Sequence, residues 1–293
     1  MLINDISMQV INTITELQQL LEAEKKKGHT VGFVPTMGAL HQGHLSLVQQ
    51  AAMEADVVVV SIFVNPTQFN NASDLERYPR DLETDKNALA SVKCDIIFAP
   101  SVNEVYPEED TRQFSFGKLE TVMEGRFRPG HFNGVAQVVS RLFDMVKPDK
   151  AFFGLKDFQQ LAIICEMTRQ LNLQIDIVPC AIVREEDGLA MSSRNMLLTE
   201  LQRKNAPAIA RSLFESCNFV AELTITELKQ KVALEINAVK GLEVEYFEIV
   251  DGDSLQPVDN WDESDYIVGC IAVFAGEIRL IDNVIYKKRD HEC

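Results

Sequence analysis

The 293-residue sequence contains no Cys-x-x-Cys pair. Its six cysteines, Cys94, Cys165, Cys180, Cys217, Cys270 and Cys293, are scattered. Neither a disulfide framework nor a zinc knuckle is indicated, and the thiols are expected to be reduced, mostly filling the core. Long apolar runs are scarce too: the strongest, Val57 to Val64, is broken by Ser61 and falls far short of the ~20 residues that a spanning helix needs. The opening MLINDISMQV carries Asp5 and lacks the basic end, apolar middle and small-residue cleavage site of a secretory signal, so a cytoplasmic protein is expected. Positive charge is in short supply: 28 Lys and Arg against 44 Asp and Glu leave a net −16. Such a chain has no diffuse positive field to draw phosphate polymers or anionic membranes, and no nucleic-acid or membrane partner is expected.

What is present is ordinary globular composition, 46% hydrophobic and 25% charged, in a length suited to about two domains. Short β-branched runs alternate with helical patterns through the first two thirds, which predicts an α/β domain: an open parallel sheet with helices on both faces. Strands are expected at Val31–Pro35, Val57–Val64, Ile96–Ala99, Ala151–Phe153 and Gln174–Val178. Helices are expected at Gly43–Glu54, Leu82–Lys93, Val135–Val146, ended by Pro148, and Phe158–Leu171. Past residue 182 the order changes to two helical segments, Leu201–Cys217 and Ile225–Val239, then strands at Val244–Val250, Ile267–Phe274 and Ile278–Ile281. That order predicts a smaller α+β domain, with residues 1–182 and 183–293 as the two domains.

Four polar turns carry the chemistry. The first, Pro35-Thr36-Met37-Gly38-Ala39-Leu40-His41-Gln42-Gly43-His44, follows a strand and opens a helix. Its backbone amides and positive dipole end attract phosphate, and His41 and His44, three apart, can donate to phosphate oxygens. The same histidines can also simply cap the helix, or chelate zinc, although no nearby cysteine or carboxylate completes a ligand set. The second, Phe63-Val64-Asn65-Pro66-Thr67-Gln68-Phe69, ends another strand and offers Gln68 to a hydroxyl or carboxylate, or is a plain Asn-Pro turn. The third, Gly154-Leu155-Lys156-Asp157 with Gln159 and Gln160, supplies a cation suited to a triphosphate, or is a capped helix start. The fourth, Met191-Ser192-Ser193-Arg194-Asn195, groups two hydroxyls and a guanidinium able to close over phosphates, or forms a surface turn. Arg126-Phe127-Arg128-Pro129-Gly130-His131-Phe132 offers a further polar lining, or His131 is an ordinary turn histidine.

PTMGALHQGH, FVNPTQF, RPGHF, FGLKDFQQL and VREEDGLAMSSRN, in this order and over most of the chain, resemble the pantothenate synthetases (pantoate–beta-alanine ligases). These belong to the nucleotidyltransferases with an HIGH-like motif. The resemblance implies a Rossmann-like catalytic domain and ATP-dependent condensation of (R)-pantoate with β-alanine to pantothenate, AMP and pyrophosphate through pantoyl adenylate. It further implies that Met37, Gly38, Ala39, Leu40, His41, Gln42, Gly43 and His44 hold ATP, with His41 and His44 at the phosphates and His44 donating a proton. By the same resemblance Gly154, Leu155, Lys156 and Asp157 contact the nucleotide, with Lys156 on phosphate and catalytic alongside the two histidines. Val183 packs on adenine, Met191, Ser192, Ser193 and Arg194 close the phosphate site, and Gln68 and Gln160 hold pantoate. Mg²⁺ accompanies ATP, with Asp85 a candidate ligand, and a homodimer is the family's usual state. Met196 and Leu197 depart from the Gly-Tyr of many members, and Asn133 holds a variable place. Nearest in kind are cytidylyltransferases and phosphopantetheine adenylyltransferases, against which the NPTQF turn and the paired glutamines argue. A tRNA synthetase is disfavoured by the lack of a basic extension. A catalytically silent ATP sensor would be expected to have lost His41, His44 or Lys156.

Overall fold

The computed structural model describes residues 8–68, 75, 76 and 78–288; Phe69 of the second turn, His291 and Cys293 lie outside the described residues. The chain forms two compact units. The first runs to Phe116 and adds Arg128–Leu155 and Ile163–Ala181; the second gathers Gly117–Phe127, Lys156–Ala162 and the chain from Ile182.

In the first unit the elements follow the order β1 (Gln9–Ile11), α1 (Ile14–Lys26), β2 (Val31–Thr36), α2 (Gln42–Glu54), β3 (Val57–Ile62), α3 (Leu82–Leu89), β4 (Ile96–Phe98), α4 (His131–Val146), β5 (Lys150–Gly154), α5 (Phe158–Gln170) and β6 (Asp176–Cys180), with α5 beginning in the second unit. The six strands are all parallel in the order β1-β4-β3-β2-β5-β6. The sequence pattern passes over β1, whose three residues are too few to show a period. Consecutive strand residues face opposite ways, so Phe33 and Val34 of β2 report both faces. Phe33 meets Phe143 of α4 edge-on at 6.3 Å, while Val34 clusters with Leu45 and Val48 of α2. Helices thus cover both sides, and β3, Val-Val-Val-Val-Ser-Ile, is buried along nearly its whole length, as a doubly covered central strand must be. Chain order reverses at β2, which lies between β3 and β5, and the turns after β2 and β3 leave the sheet side by side.

Asp110, on the segment before α4, accepts from Arg112 Nε at 2.9 Å and Nη2 at 2.6 Å and from Arg141 Nε at 2.6 Å. The Arg112 guanidinium holds its carboxyl far below the usual carboxylate range. A depressed carboxylate stabilises the fold above its unfolded pKa of about 4 and stops doing so as the pH falls through the folded value. The urea midpoint of Asp110→Asn is therefore expected below that of the unaltered chain at pH 7, with the gap closing progressively below about pH 4. A gap that held constant into acid would refute this role.

The second unit holds α6 (Glu200–Asn205), α7 (Ala208–Ser216), α8 (Ile225–Asn237) and the antiparallel sheet β7 (Leu242–Asp251), β8 (Ile267–Ala275), β9 (Ile278–Lys287). Leu228, Val232 and Ile236, spaced by four on α8, cluster with Ile249 of β7 and Ile271 and Val273 of β8. The single helix expected over Leu201–Cys217 is two, because Pro207 has no N–H to continue the ladder; α6 stops at Asn205 and α7 restarts at Ala208. Cys94, Cys180 and Cys270 are buried, and Cys165 is exposed. Among the described residues no helix is long and apolar enough to cross a membrane.

Candidate active site

The turn after β2 is shaped by its neighbours. Gly38 adopts φ +81, where a side chain would be strained, and an added Cβ would lie 2.8 Å from Asp85 Oδ2. Ala39 follows at φ +51. Asp85, on α3 and buried, accepts from the Ala39 amide at 3.1 Å and the Leu40 amide at 2.8 Å. Burial is the main influence on its carboxyl and raises its pKa, while the two amides partly offset that. Asp85 thus holds the loop's backbone, a role that the sequence did not indicate.

His41 and His44 do cap α2, and the capping determines which nitrogen can donate. His41 Nδ1 accepts from the Gly43 amide at 3.1 Å, and His44 Nδ1 accepts from the His41 amide at 3.3 Å, with ring centroids 4.1 Å apart. An Nδ1 that accepts puts the proton of a neutral imidazole on Nε2. The capping box therefore fixes both rings in the tautomer whose Nε2 can donate. Capping and proton donation, open alternatives in the sequence, are compatible.

The turn after β3 reaches this loop through Gln68, whose Nε2 lies 3.0 Å from Met37 Sδ. Buried Asn65 donates to Gln68 Oε1 at 3.2 Å and to the Gly134 carbonyl at 3.2 Å, and Tyr106 donates to Asn65 Oδ1 at 2.9 Å. His131, buried at the start of α4, brings Nδ1 within 3.1 Å of the Gln68 carbonyl. Asn65 and His131 are polar supports of Gln68; in the sequence Asn65 reads as a turn former, and His131 either as a turn residue or as part of a polar lining. Gly134 lets α4 press on this turn: a Cβ there would meet the Thr67 carbonyl oxygen at 2.6 Å and Gln68 Cα at 3.0 Å. Gly134→Ala is expected to raise the KM for the ligand of Gln68 about tenfold, and to destabilise by ~1–3 kcal/mol through overpacking although alanine favours helix. A variant that is more stable, with KM unmoved, would show that the turn yields without consequence.

The remaining expected residues lie in the second unit, apart from Gly154 and Leu155. The Lys156 carbonyl accepts from Asn283 Nδ2 at 3.1 Å. Gln160 stands half-buried in the first turn of α5; beside it, buried Gln159 donates to the Leu119 and Val122 carbonyls at 2.7 and 2.9 Å and accepts from the Glu124 amide at 2.9 Å. Val183 begins a hairpin closed by Met191 N–H to Val183 O at 3.0 Å and Glu185 N–H to Leu189 O at 2.8 Å. Ser192 Oγ accepts from the Arg194 amide at 3.3 Å and caps the one-turn segment Ser193–Leu197. Of the polar lining Arg126–Phe132, the first two residues belong to the second unit and the rest to the first, and Phe127 stacks on Tyr246 at 5.4 Å.

The pantoate-beta-alanine ligase family model matches residues 9–285. The chain belongs to the pantoate-beta-alanine ligase family. It is 58% identical over 281 residues to a pantothenate synthetase of Bacteroides fragilis strain YCH46, covering 96% of this chain and all (100%) of that one. A pantothenate synthetase of Porphyromonas gingivalis strain W83 is 54% identical over 280 residues, again covering 96% of this chain and 100% of the relative. Among solved structures, a pantothenate synthetase of Thermus thermophilus superposes with a TM-score of 0.89 at 42% identity, covering 96% of this chain and 100% of that one. The pantoate-beta-alanine ligase of Francisella tularensis, complexed with beta-gamma ATP and beta-alanine, follows at 0.80 and 35% identity, covering 96% and 98%. Ligases of this family are enzymes, and this chain carries the fold and length of one.

Proposed function

We infer that the protein is a pantothenate synthetase, joining (R)-pantoate to β-alanine at the expense of ATP. The observation that carries this reading is the meeting of Gln68 with Met37, 3.0 Å from Nε2 to Sδ. It sets an amide suited to a carboxylate or hydroxyl against the loop that opens a phosphate-attracting helix.

The chemistry has two steps. A pantoate carboxylate oxygen attacks the α-phosphorus, the bond from that phosphorus to the bridging oxygen breaks, and pyrophosphate departs with the electron pair. The β-alanine nitrogen then attacks the acyl carbon of pantoyl adenylate, the acyl C–O bond breaks, AMP leaves and the nitrogen loses a proton. No protein nucleophile is needed; positioned charge is. We assign ATP to Met37–His44, with the His41 and His44 Nε2 protons directed to its phosphates and His44 donating to the departing oxygen. Gly154–Asp157 contact the nucleotide, Lys156 neutralises phosphate charge, Val183 packs on adenine, and Met191–Arg194 close on the phosphates. Gln68 and Gln160 hold pantoate.

Mg²⁺ accompanies ATP and keeps several waters, so it needs few protein ligands. Among the described residues no group of three or more His, Cys, Asp or Glu could hold a metal ion. Asp85, whose two carboxylate oxygens each accept one amide of the loop, would be the carboxylate beside the ion. A cytoplasmic homodimer completes the reading, and its mass in solution tests the second part.

Pyrophosphate and AMP are measured with ATP, Mg²⁺ and (R)-pantoate, with and without β-alanine. Pantoate-dependent pyrophosphate release, and pantothenate by mass when the amine is added, are expected. Pyrophosphate without pantothenate would keep the first step and reject β-alanine; no turnover from a folded, ATP-binding chain would reject the enzyme reading.

A further inference from the structure

Strand β9 carries two consecutive buried polar residues, Asp282 and Asn283, in the middle of a hydrophobic sheet. Burying such groups is costly unless they are paired, so their partners account for their presence. Asp282 accepts both arms of the Arg184 guanidinium, at 2.6 and 2.9 Å. Arg184 in turn donates to the Gly188 carbonyl at 3.1 Å, closing the hairpin from Val183 to Met191, and stacks on Phe214 at 4.6 Å. Asn283 donates to the carbonyl of Lys156 at 3.1 Å. The two side chains leave the strand in opposite directions, yet their α-carbons are tied by one peptide unit of about 3.8 Å.

We propose that Asp282 and Asn283 are positioning residues for the nucleotide: adjacent positions of one strand fix the hairpin of Val183 and Met191–Arg194 and the turn of Lys156 relative to each other. The proposal rests on the assignment of those segments to ATP. The hairpin holds adenine at Val183 and phosphate at Met191–Arg194, and the turn of Lys156 meets the phosphates from a second segment, so the spacing between the two decides whether the α-phosphorus meets the carboxylate in line. A β9 that keeps both anchors keeps that spacing; loss of either lets one grip drift while the other stays.

The test uses the intact chain and a non-hydrolysable β,γ-substituted ATP analogue. Asp282→Asn and Asn283→Ala are each expected to weaken analogue binding, and to raise the KM for ATP, about tenfold, the scale of one charged or buried hydrogen-bonding partner lost. The KM for β-alanine is expected to stay within about twofold. Arg184→Lys, which keeps the charge but loses the two-armed fit, should fall between. Melting temperature without ligand is recorded for each variant. Should Asp282→Asn fail to fold, Asn283→Ala and Arg184→Lys carry the test. Variants that melt lower but bind the analogue as the unaltered chain does would overturn the proposal in favour of a purely structural pair. Lys156→Ala serves as reference: analogue binding unchanged there too would overturn the assignment of the nucleotide site itself, and the proposal with it.

Discussion

Replacing His44 by alanine is expected to slow pantoate-dependent pyrophosphate release by about 10²-fold or more, the scale of losing one oriented donor to a departing oxygen. The substitution also removes the acceptor for the His41 amide, 3.3 Å from His44 Nδ1, and with it half of the capping box. Loss of that cap costs about 1 kcal/mol and could be mistaken for the catalytic effect. His44→Asn separates the two, because its side-chain oxygen can take the place of Nδ1 while nothing replaces the Nε2 proton. The asparagine variant is therefore expected to recover most of the melting temperature and little of the rate. Recovery of both would reduce His44 to a cap, and the proton donor would have to be sought elsewhere.

The second large effect is on stability. Arg279 of β9 binds Glu124 with Nη1 at 2.8 Å and Nη2 at 2.6 Å, and reaches Glu245 with Nη2 at 2.5 Å. Tyr246 donates to Glu124 Oε1 at 2.8 Å. Burial and the Glu124 charge push the Tyr246 phenol well above its ordinary value, so it stays a donor throughout the physiological range. Arg279→Met leaves two mostly buried carboxylates with no cation between them, a loss of ~3–5 kcal/mol for a broken buried pair. Urea unfolding of the intact chain measures it. The stranded carboxylates would bind protons more readily folded than unfolded, so the variant's deficit is expected to be smallest in acid and to grow as the pH rises through the raised values. Adding Glu124→Gln should return part of the loss. A deficit independent of pH, with no gain from the second substitution, would mean that the ion pair contributes by packing alone.

Much of this architecture is legible before any coordinates. The β-branched runs Val31–Pro35 and Val57–Val64 announce central strands because both faces are covered, and the glycines of the turn after the first announce a backbone that bends sharply before a helix. What the sequence hides is distance. Glu124 finds Arg279 at a separation of 155 residues, and nothing local in Met-Glu-Gly-Arg-Phe marks it as part of a unit whose sheet comes so much later. Asp85 has the spacing of a plain helix residue and proves to hold Ala39 and Leu40 from 46 and 45 residues away. His41 and His44 are visible as a pair, but only their geometry shows that capping selects the donating nitrogen. Pro207, by contrast, is a local signal of a helix break that the periodic pattern around it conceals.

The long separation between Glu124 and Arg279 also places the making of the protein on a clock. At roughly 5–20 residues per second, a ribosome needs on the order of 10–30 s to travel the 155 residues from one to the other. During that interval the segment around Glu124 has emerged, its carboxylate has no guanidinium to meet, and Gln159 has the Glu124 amide to hold but no β9 behind it. The second unit is thus completed after most of the chain has been synthesised, and the nascent protein must keep this stretch soluble until its last strand arrives.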